Sequence, residues 1–428
     1  MGKKVLVVGQ GGREHALVWK LSQSPQVDKI YAAPGNPGIA QLAECLPISA
    51  SDVQGLLDFA LEKKIDLTVV GPEDPLMRGI VDIFQTQGLK IFGPSSQAAR
   101  LEGSKVFSKD LMQKYHIPTA AYQVFDEAQA AAQFACSFTD RGQPVVIKAD
   151  GLAAGKGVII ATTSQEARQA VDEIMTEKVF GDAGQHIVVE EFLQGEEVSV
   201  FALSDGHKAV TLVAAQDHKR AFDNDEGPNT GGMGAYTHPP VYTRELHELV
   251  DRIILQATVQ AMAKEGCPYR GVIYAGLMIT EDGPKVLEYN ARFGDPETQV
   301  IMPILEGDVL PLFEAVAAGD LSSTAVKVRE EFCVCVVLAS GGYPGKYAKG
   351  YPIKGLENLD DTTLVFHAGT ALQDGQLVTD GGRVMALVTQ AQSVQDALNN
   401  VYDQIQKVEF ADMHYRTDIG QHALKRGE

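Results

Sequence analysis

The first hundred residues repeat one unit: a short apolar run ends in a Gly- or Pro-rich loop, and a helical stretch follows. The runs Val5–Gly9, Ile30–Ala33, Leu67–Gly71 and Lys90–Gly93 lead into QGGREH, PGNPG, PEDPL and PSSQ. Short continuous apolar strands alternating with helices predict a parallel sheet covered on both faces. Such a sheet takes ligands beyond the carboxyl ends of its strands, where all four loops fall. The middle of the chain follows another pattern. Strands at Pro144–Lys148, Gly157–Ala161, Ile187–Leu193, Glu197–Leu203, Ala209–Ala215, Gly271–Ile279 and Lys285–Tyr289 are interleaved with helices at Gly103–Tyr115 and Arg244–Lys264. Asp205–Gly206 and Glu281–Gly283 read as hairpin turns, so this region is expected to be α+β with mainly antiparallel sheets. Thr163 and Glu166 have capping-box spacing, and Gly266 stops the long helix. A third block opens near Val326, with strands at Cys333–Leu338, Thr363–His367 and Arg383–Thr389 and a helix at Val394–Val408. A chain of 428 residues exceeds one core and accommodates about two to four domains. The expected divisions are 1–102, 103–325 with a small lobe at about 124–190, and 326–428.

A net charge of −19 argues against nucleic acid as a main partner, because phosphate backbones need clustered Lys and Arg. A small anionic substrate stays compatible, through a local basic pocket. No segment approaches the roughly 20 apolar residues that span a membrane, and Val5–Val8 is too short for a signal-peptide core. The five cysteines are odd in number and lack CxxC spacing, which fits a reducing, cytoplasmic location. Cys333 and Cys335 share one face of an apolar strand, where buried packing outweighs a metal role.

Four segments carry candidate chemistry. Gly9-Gln10-Gly11-Gly12-Arg13-Glu14 follows a strand and opens a helix. Glu14 stands where a dinucleotide fingerprint needs glycine, so the turn is either an anion-binding turn or a plain tight one. Gly151–Gly157 (GLAAGKG) has the wrong spacing for a P-loop and lies between strands. It reads as a flap over phosphates, with Lys148 upstream as a point charge, or as a glycine-rich hairpin. Glu288 and Asn290 occupy positions i and i+2 of a strand, which puts two oxygen donors on one face, suited to Mg²⁺. Arg292 follows and suits bidentate contact with a carboxylate or phosphate. Asp217–Tyr236 is polar and Gly- and Asn-rich, and is read as an ordered active-site loop. His15 reads as a satisfied polar contact.

RFGDPETQ at Arg292–Gln299 resembles the signature of the phosphoribosylamine–glycine ligases, or glycinamide ribonucleotide synthetases. VVGQGGREHAL, APGNPG (Ala33–Gly38), GPEDPL (Gly71–Leu76), KADGLAAGKGV (Lys148–Val158), GPNTGGMGAY (Gly227–Tyr236) and SGGYPG (Ser340–Gly345) resemble that family's motifs in its order, over nearly the whole chain. The resemblance implies an N-terminal α/β domain, a two-lobed ATP-grasp fold and a small C-terminal α+β domain. It also implies a stand-alone cytoplasmic enzyme of purine biosynthesis, with a monomer favoured. ATP would lie between the lobes under the flap, with Lys105, Lys148, Gly155 and Lys156 at its phosphates. Glu190 and Leu193 would meet the adenine and Glu197 the ribose, each glutamate uncertain by one position against Glu191 and Glu196. Glu288 and Asn290 would hold Mg²⁺ or Mn²⁺. Gly11, Gly12, Asn36 and Asp74 would face 5-phosphoribosylamine. Lys148, Arg292 and Asp295 would serve catalysis, with glycine as the acid, activated as glycyl phosphate. The rivals are another ATP-grasp ligase using formate or bicarbonate, a nucleotide-binding regulator without turnover and, a poor third, a dehydrogenase.

Overall fold

The computed structural model describes residues 2–151, 157–322 and 325–427. Gly155 and Lys156, at the centre of the expected flap, lie outside the described residues. Strands β1 (Lys3–Gly9), β2 (Val27–Pro34), β3 (Glu44–Cys45), β4 (Leu67–Val70) and β5 (Ile91–Phe92) form a parallel sheet in the order β3-β2-β1-β4-β5. Val5 to Val8 are wholly buried, which is why this strand reads as a continuous apolar run. The four Gly/Pro loops all leave the carboxyl edge of this sheet.

Strands β6 (Tyr122–Phe125), β7 (Val145–Ala149), β8 (Val158–Ala161) and β9 (Ile187–Glu191) form an antiparallel sheet in the order β6-β9-β7-β8. The helices Ala128–Thr139 and Ser164–Val171 close its core around Ala131, Ala135, Ile147 and Val189. Thr163 and Glu166 make the expected reciprocal capping box. The helix expected at 103–115 is present as Lys105–Lys114, and a separate helix, Ser96–Gly103, precedes it. Ser104 separates them in an extended conformation and accepts the Phe107 N–H at 3.1 Å. A serine that caps its own downstream helix ends the one before it.

The largest sheet runs across the rest of the molecule. Its strands are β10 (Glu196–Asp205), β11 (Ala209–Asp217), a short ribbon of β12 (Arg220–Phe222) and β13 (Glu226–Asn229) standing apart, then β14 (Gly234–Thr237), β15 (Arg270–Thr280), β16 (Gly283–Asn290) and β17 (Phe332–Ser340). It continues with β18 (Leu364–His367), a separate hairpin of β19 (Thr370–Gln373) and β20 (Gln376–Thr379), then β21 (Arg383–Ala391) and β22 (Met413–His414). The order is β16-β15-β10-β11-β14-β17-β21-β18, with β22 on β17. Ala235 of β14 faces Cys335 of β17, so the middle and third blocks share one sheet. Cys333 and Cys335 are fully buried, and among the described residues no His/Cys/Asp/Glu cluster has metal-ligand geometry. The stretch expected to be a loop at 217–236 holds the ribbon and β14. Every residue of the helix Glu297–Ile304 is buried, and it packs on the helix Gly12–Ser22 and on β11, β14 and β17. Among the described residues no helix is long and apolar enough to cross a membrane.

His15 is a satisfied polar contact: its Nδ1 accepts the His367 backbone N–H at 2.8 Å, tying the first helix to β18. Burial, and then the neighbouring His367, lowers the His15 pKa to about 3, and burial alone lowers that of His367 to about 4. The unfolded chain therefore takes up protons that the fold refuses. Stability is fully present above the ordinary value of 6.5 and is lost as pH falls toward 4. The melting temperature is expected to fall between pH 7 and pH 5, each histidine contributing about 1–2 kcal/mol at pH 5. A His15→Gln variant should show a shallower slope; identical slopes would contradict this origin.

Candidate active site

A cleft of about 570 Å³ lies between the β6–β9 sheet and the large sheet. One end is apolar, formed by Val146, Val158, Ile160, Leu193, Met278 and Leu287, and is the right lining for a flat aromatic base. Two lysines close its back. Lys109 and Lys148 both ion-pair with Glu190, and Lys148 also donates to the Leu287 carbonyl at 3.1 Å. Lys109 donates to Thr119 Oγ1 at 2.7 Å. Burial works to raise the Glu190 pKa, but Lys148 and Lys109 together hold it below the usual range. Burial lowers that of Lys109 to about 8 against the pull of Glu190. Glu191 lines the cleft as well, its carboxylate accepting the Ala121 N–H at 2.9 Å and pairing with Lys285 at 3.5 Å.

Lys105 opens the helix Lys105–Lys114 and donates to the Gly151 carbonyl at 3.1 Å. Asp150 accepts from the Val106 N–H at 3.2 Å, so the start of the glycine loop is tied to the same helix end. Glu197 rather than Glu196 lines the cleft, paired with Lys219 at 2.6 Å. Burial disfavours the charged form of Lys219, yet Asp217 and Glu197 raise its pKa well above the ordinary value. Asp217 itself is pushed up to about 7 by burial, against Lys219.

Glu288 and Asn290 line the cleft on β16, as strand alternation predicts. Burial penalises the Glu288 carboxylate, but Lys219, Lys148, Lys105 and Arg292 outweigh it and keep it ionised. An ionised carboxylate beside an amide oxygen is a hard-oxygen donor pair, so these residues fit a divalent cation. Arg292 is held between Glu73 and Glu102, each at 3.3 Å. Glu102 also accepts the Ala291 N–H at 2.7 Å. Asp295 pairs with Arg383 at 3.2 Å and accepts from Gln299 at 2.8 Å and from the Arg13 N–H at 3.4 Å.

The cleft thus gathers Lys105, Lys148, Glu190, Leu193, Glu197, Glu288, Asn290, Arg292 and Asp295. Gly11, Gly12, Asn36 and Asp74 are not among its lining residues; they sit on the carboxyl edge of the parallel sheet beside it. A Cβ on Gly11 would come 3.3 Å from Asp295 Oδ2, and one on Gly12 2.5 Å from Gln299 Nε2, so this turn abuts the far end of the cleft. The Gly11 N–H already donates to Glu14 Oε2 at 2.6 Å. The anion at this helix N-terminus is the chain's own carboxylate, which explains glutamate in place of the fingerprint glycine. The Asn36 amide is committed to the Gln10 and His367 carbonyls, at 2.7 and 2.9 Å, and its oxygen accepts from Gly38 and Ile39. Asp74 pairs with Arg78 at 2.7 Å, while its neighbour Glu73 lines the cleft.

Sequence reasoning passed over several lining residues. Lys109 lies one helical turn beyond Lys105, a spacing that places both on one face. Asp217 and Lys219 belong to the polar segment already singled out. Glu297 stands inside RFGDPETQ, and its Oε1 accepts the Tyr274 hydroxyl at 2.7 Å. Arg383 comes from the third block, where no local pattern marks it.

The whole chain has relatives. Residues 3–102, 103–298 and 333–422 match the N, ATP-grasp (A) and C domains of the phosphoribosylglycinamide synthetase family. A phosphoribosylamine–glycine ligase of Caldanaerobacter subterraneus subsp. tengcongensis is 51% identical over 417 residues, spanning 97% of this chain and 99% of that protein. One of Agrobacterium fabrum is 50% identical over 423 residues, spanning 99% of each. The crystal structure of the Thermotoga maritima phosphoribosylamine–glycine ligase superposes with a TM-score of 0.84 at 33% identity, covering 97% of this chain and 99% of that one. The biotin carboxylase domain of the Hydrogenobacter thermophilus 2-oxoglutarate carboxylase, crystallised with ADP, magnesium and bicarbonate, has a TM-score of 0.75 at 17% identity. It covers 100% of this chain and 94% of its own and shares the fold alone. By full-length identity and by all three domain matches, the chain belongs to the phosphoribosylamine–glycine ligase family.

Proposed function

We propose that this chain, as a monomer with the three-domain division given above, joins glycine to 5-phosphoribosylamine at the cost of ATP. The products are glycinamide ribonucleotide, ADP and phosphate. The observation that carries the reading is a half-buried, ionised Glu288 beside Asn290, faced by Lys105, Lys148, Lys219 and Arg292 at the polar end of a cleft whose other end is apolar.

The apolar end, from Val146 to Leu193, takes the adenine, with Glu190 and Leu193 at its edge and Glu197 at the ribose. Lys148 has three N–H donors; Glu190 and Leu287 engage two, and we assign the third to a phosphate. Lys105 joins it from the helix end, and Gly155 and Lys156 of the loop complete the phosphate contacts. Glu288 and Asn290 would hold Mg²⁺ or Mn²⁺, which when bound neutralises charge along the triphosphate. Glycine's carboxylate oxygen attacks the γ-phosphorus, releasing ADP. The amine of phosphoribosylamine then attacks the carbonyl carbon of glycyl phosphate, releasing phosphate and a proton. The chain's contribution is positioning and charge compensation, without a covalent protein nucleophile. Arg292, fixed by Glu73 and Glu102, orients the acid, and Asp295, fixed by Arg383 and Gln299, faces the amine. Phosphoribosylamine lies toward Gly11, Gly12, Asn36 and Asp74. Because the Asn36 amide is already engaged, its part is to shape the loop.

The direct test is coupled ADP release with each substrate withheld in turn. Release should require ATP, glycine and phosphoribosylamine together; release driven instead by formate or bicarbonate would move the chain to another ligase chemistry. The metal assignment predicts that Glu288→Ala lowers kcat/KM by about a hundredfold or more while the fold persists. The isosteric Glu288→Gln serves as the control for packing. An unchanged kcat/KM at saturating Mg²⁺ would refute the role of Glu288.

A further inference from the structure

The third block reaches the cleft through a clamp that the proposed chemistry leaves unused. The polar segment 217–236 enters the cleft twice, first with Asp217 and Lys219, then with Asn229, Thr230 and Gly231. Asp217 is held by the large sheet, paired with Ala235, and the His218 N–H donates to Gly234 at 2.9 Å. Asn229 ends β13 opposite Arg220, and Thr230 donates its N–H and hydroxyl to the Lys219 carbonyl at 2.7 and 2.8 Å, so their support runs through the ribbon β12–β13, and a ribbon of two strands alone is marginal. The ribbon also turns through Asn224 and Asp225, both with positive φ (60° and 54°), a conformation that persists only when its surroundings impose it.

What imposes it is the arm 414–420. Arg416 is 1% exposed, the largest fully buried side chain among the described residues. It makes two hydrogen bonds of 2.7 Å to Asp418, one of 2.8 Å to Asp225 and one of 3.2 Å to the Arg220 carbonyl. Asp418 accepts the Asn224 N–H at 2.8 Å, and Asp223 accepts the Thr417 N–H at 2.8 Å. The arm is anchored in turn to the helix Val394–Ile405, whose Tyr402 hydroxyl donates to the Arg416 carbonyl at 3.0 Å. At the other flank Arg383 donates to the Gly231 carbonyl at 2.7 Å, and the Gly231 N–H donates to Tyr343 at 3.0 Å.

We propose that Arg416 is a positioning residue: it locks the ribbon 220–229 to the C-terminal arm and so sets Asn229, Thr230 and Gly231 at the Asp295 end of the cleft. The inference rests on the proposed ligation at this cleft. Because Asp217 is fixed by the sheet and the Lys219 ammonium by Glu197 of β10, losing the clamp disturbs the acceptor end and spares the nucleotide end.

The test uses the full chain with Arg416→Lys, which keeps the charge but not the fork, and with Asp225→Ala, on the exposed side of the clamp, in case the first folds poorly. Amide hydrogen exchange should quicken over 220–231 and stay unchanged over 196–217. In both variants kcat/KM for glycine should fall roughly tenfold or more, while KM for ATP moves less than about twofold. Unchanged exchange over 220–231 overturns the clamp. Faster exchange or a lower melting temperature with normal constants per folded molecule leaves Arg416 a purely structural residue and overturns the positioning role. A wild-type chain without glycine-dependent ADP release overturns the ligase reading instead, and the exchange measurement still decides the clamp.

Discussion

Drawing the half-buried Glu288 carboxylate out of water costs free energy unless cations face it. Here the cations arrive from separate segments: Lys105 from the start of a helix, Lys148 from β7, Lys219 from beyond β11 and Arg292 from beyond β16. Three of the four also have carboxylate partners of their own: Glu190 for Lys148, Glu197 for Lys219, and Glu73 and Glu102 for Arg292. The cleft is a balanced lattice of charges, not a basic patch. That reconciles a net charge of −19 with a site for anionic ligands. Neither a buried pair such as Lys148–Glu190 nor a half-exposed one such as Lys219–Glu197 adds much net stability, so their concentration around one cavity points to chemistry.

The segment RFGDPETQ is architecture as much as site. Arg292 reaches back to Glu73 and Glu102, Asp295 reaches forward to Arg383, and Glu297 bonds to Tyr274 of β15. The chain then enters the wholly buried helix Glu297–Ile304, which touches the first helix and the sheet shared by the middle and third blocks. One short stretch thereby fixes the relative placement of all three parts. Glu14 plays a similar double role at the other edge, filling the helix N-terminus behind Gly11 and packing against Gly9 and Gly71.

Local rules carried the sequence reading far. The parallel sheet followed from four apolar runs, the Thr163–Glu166 cap from its spacing, the end of the helix at Lys264 from Gly266, and the shared face of Glu288 and Asn290 from alternation. Long-range contacts stayed out of reach. Nothing near Ala235 announces that β14 pairs with β17, a partner about a hundred residues on. Nothing near Arg383 announces that it reaches Asp295. Asn36 looks like a ligand group until His367 is folded onto it.

Crystals of the full chain grown with Mn²⁺ and a non-hydrolysable ATP analogue test the central claim most directly. The anomalous signal of the metal should fall within coordination distance of the Glu288 carboxylate and the Asn290 amide oxygen, with the base against Leu193 and the phosphates toward Lys105 and Lys148. A metal peak away from β16, or a nucleotide bound outside this cleft, would contradict it.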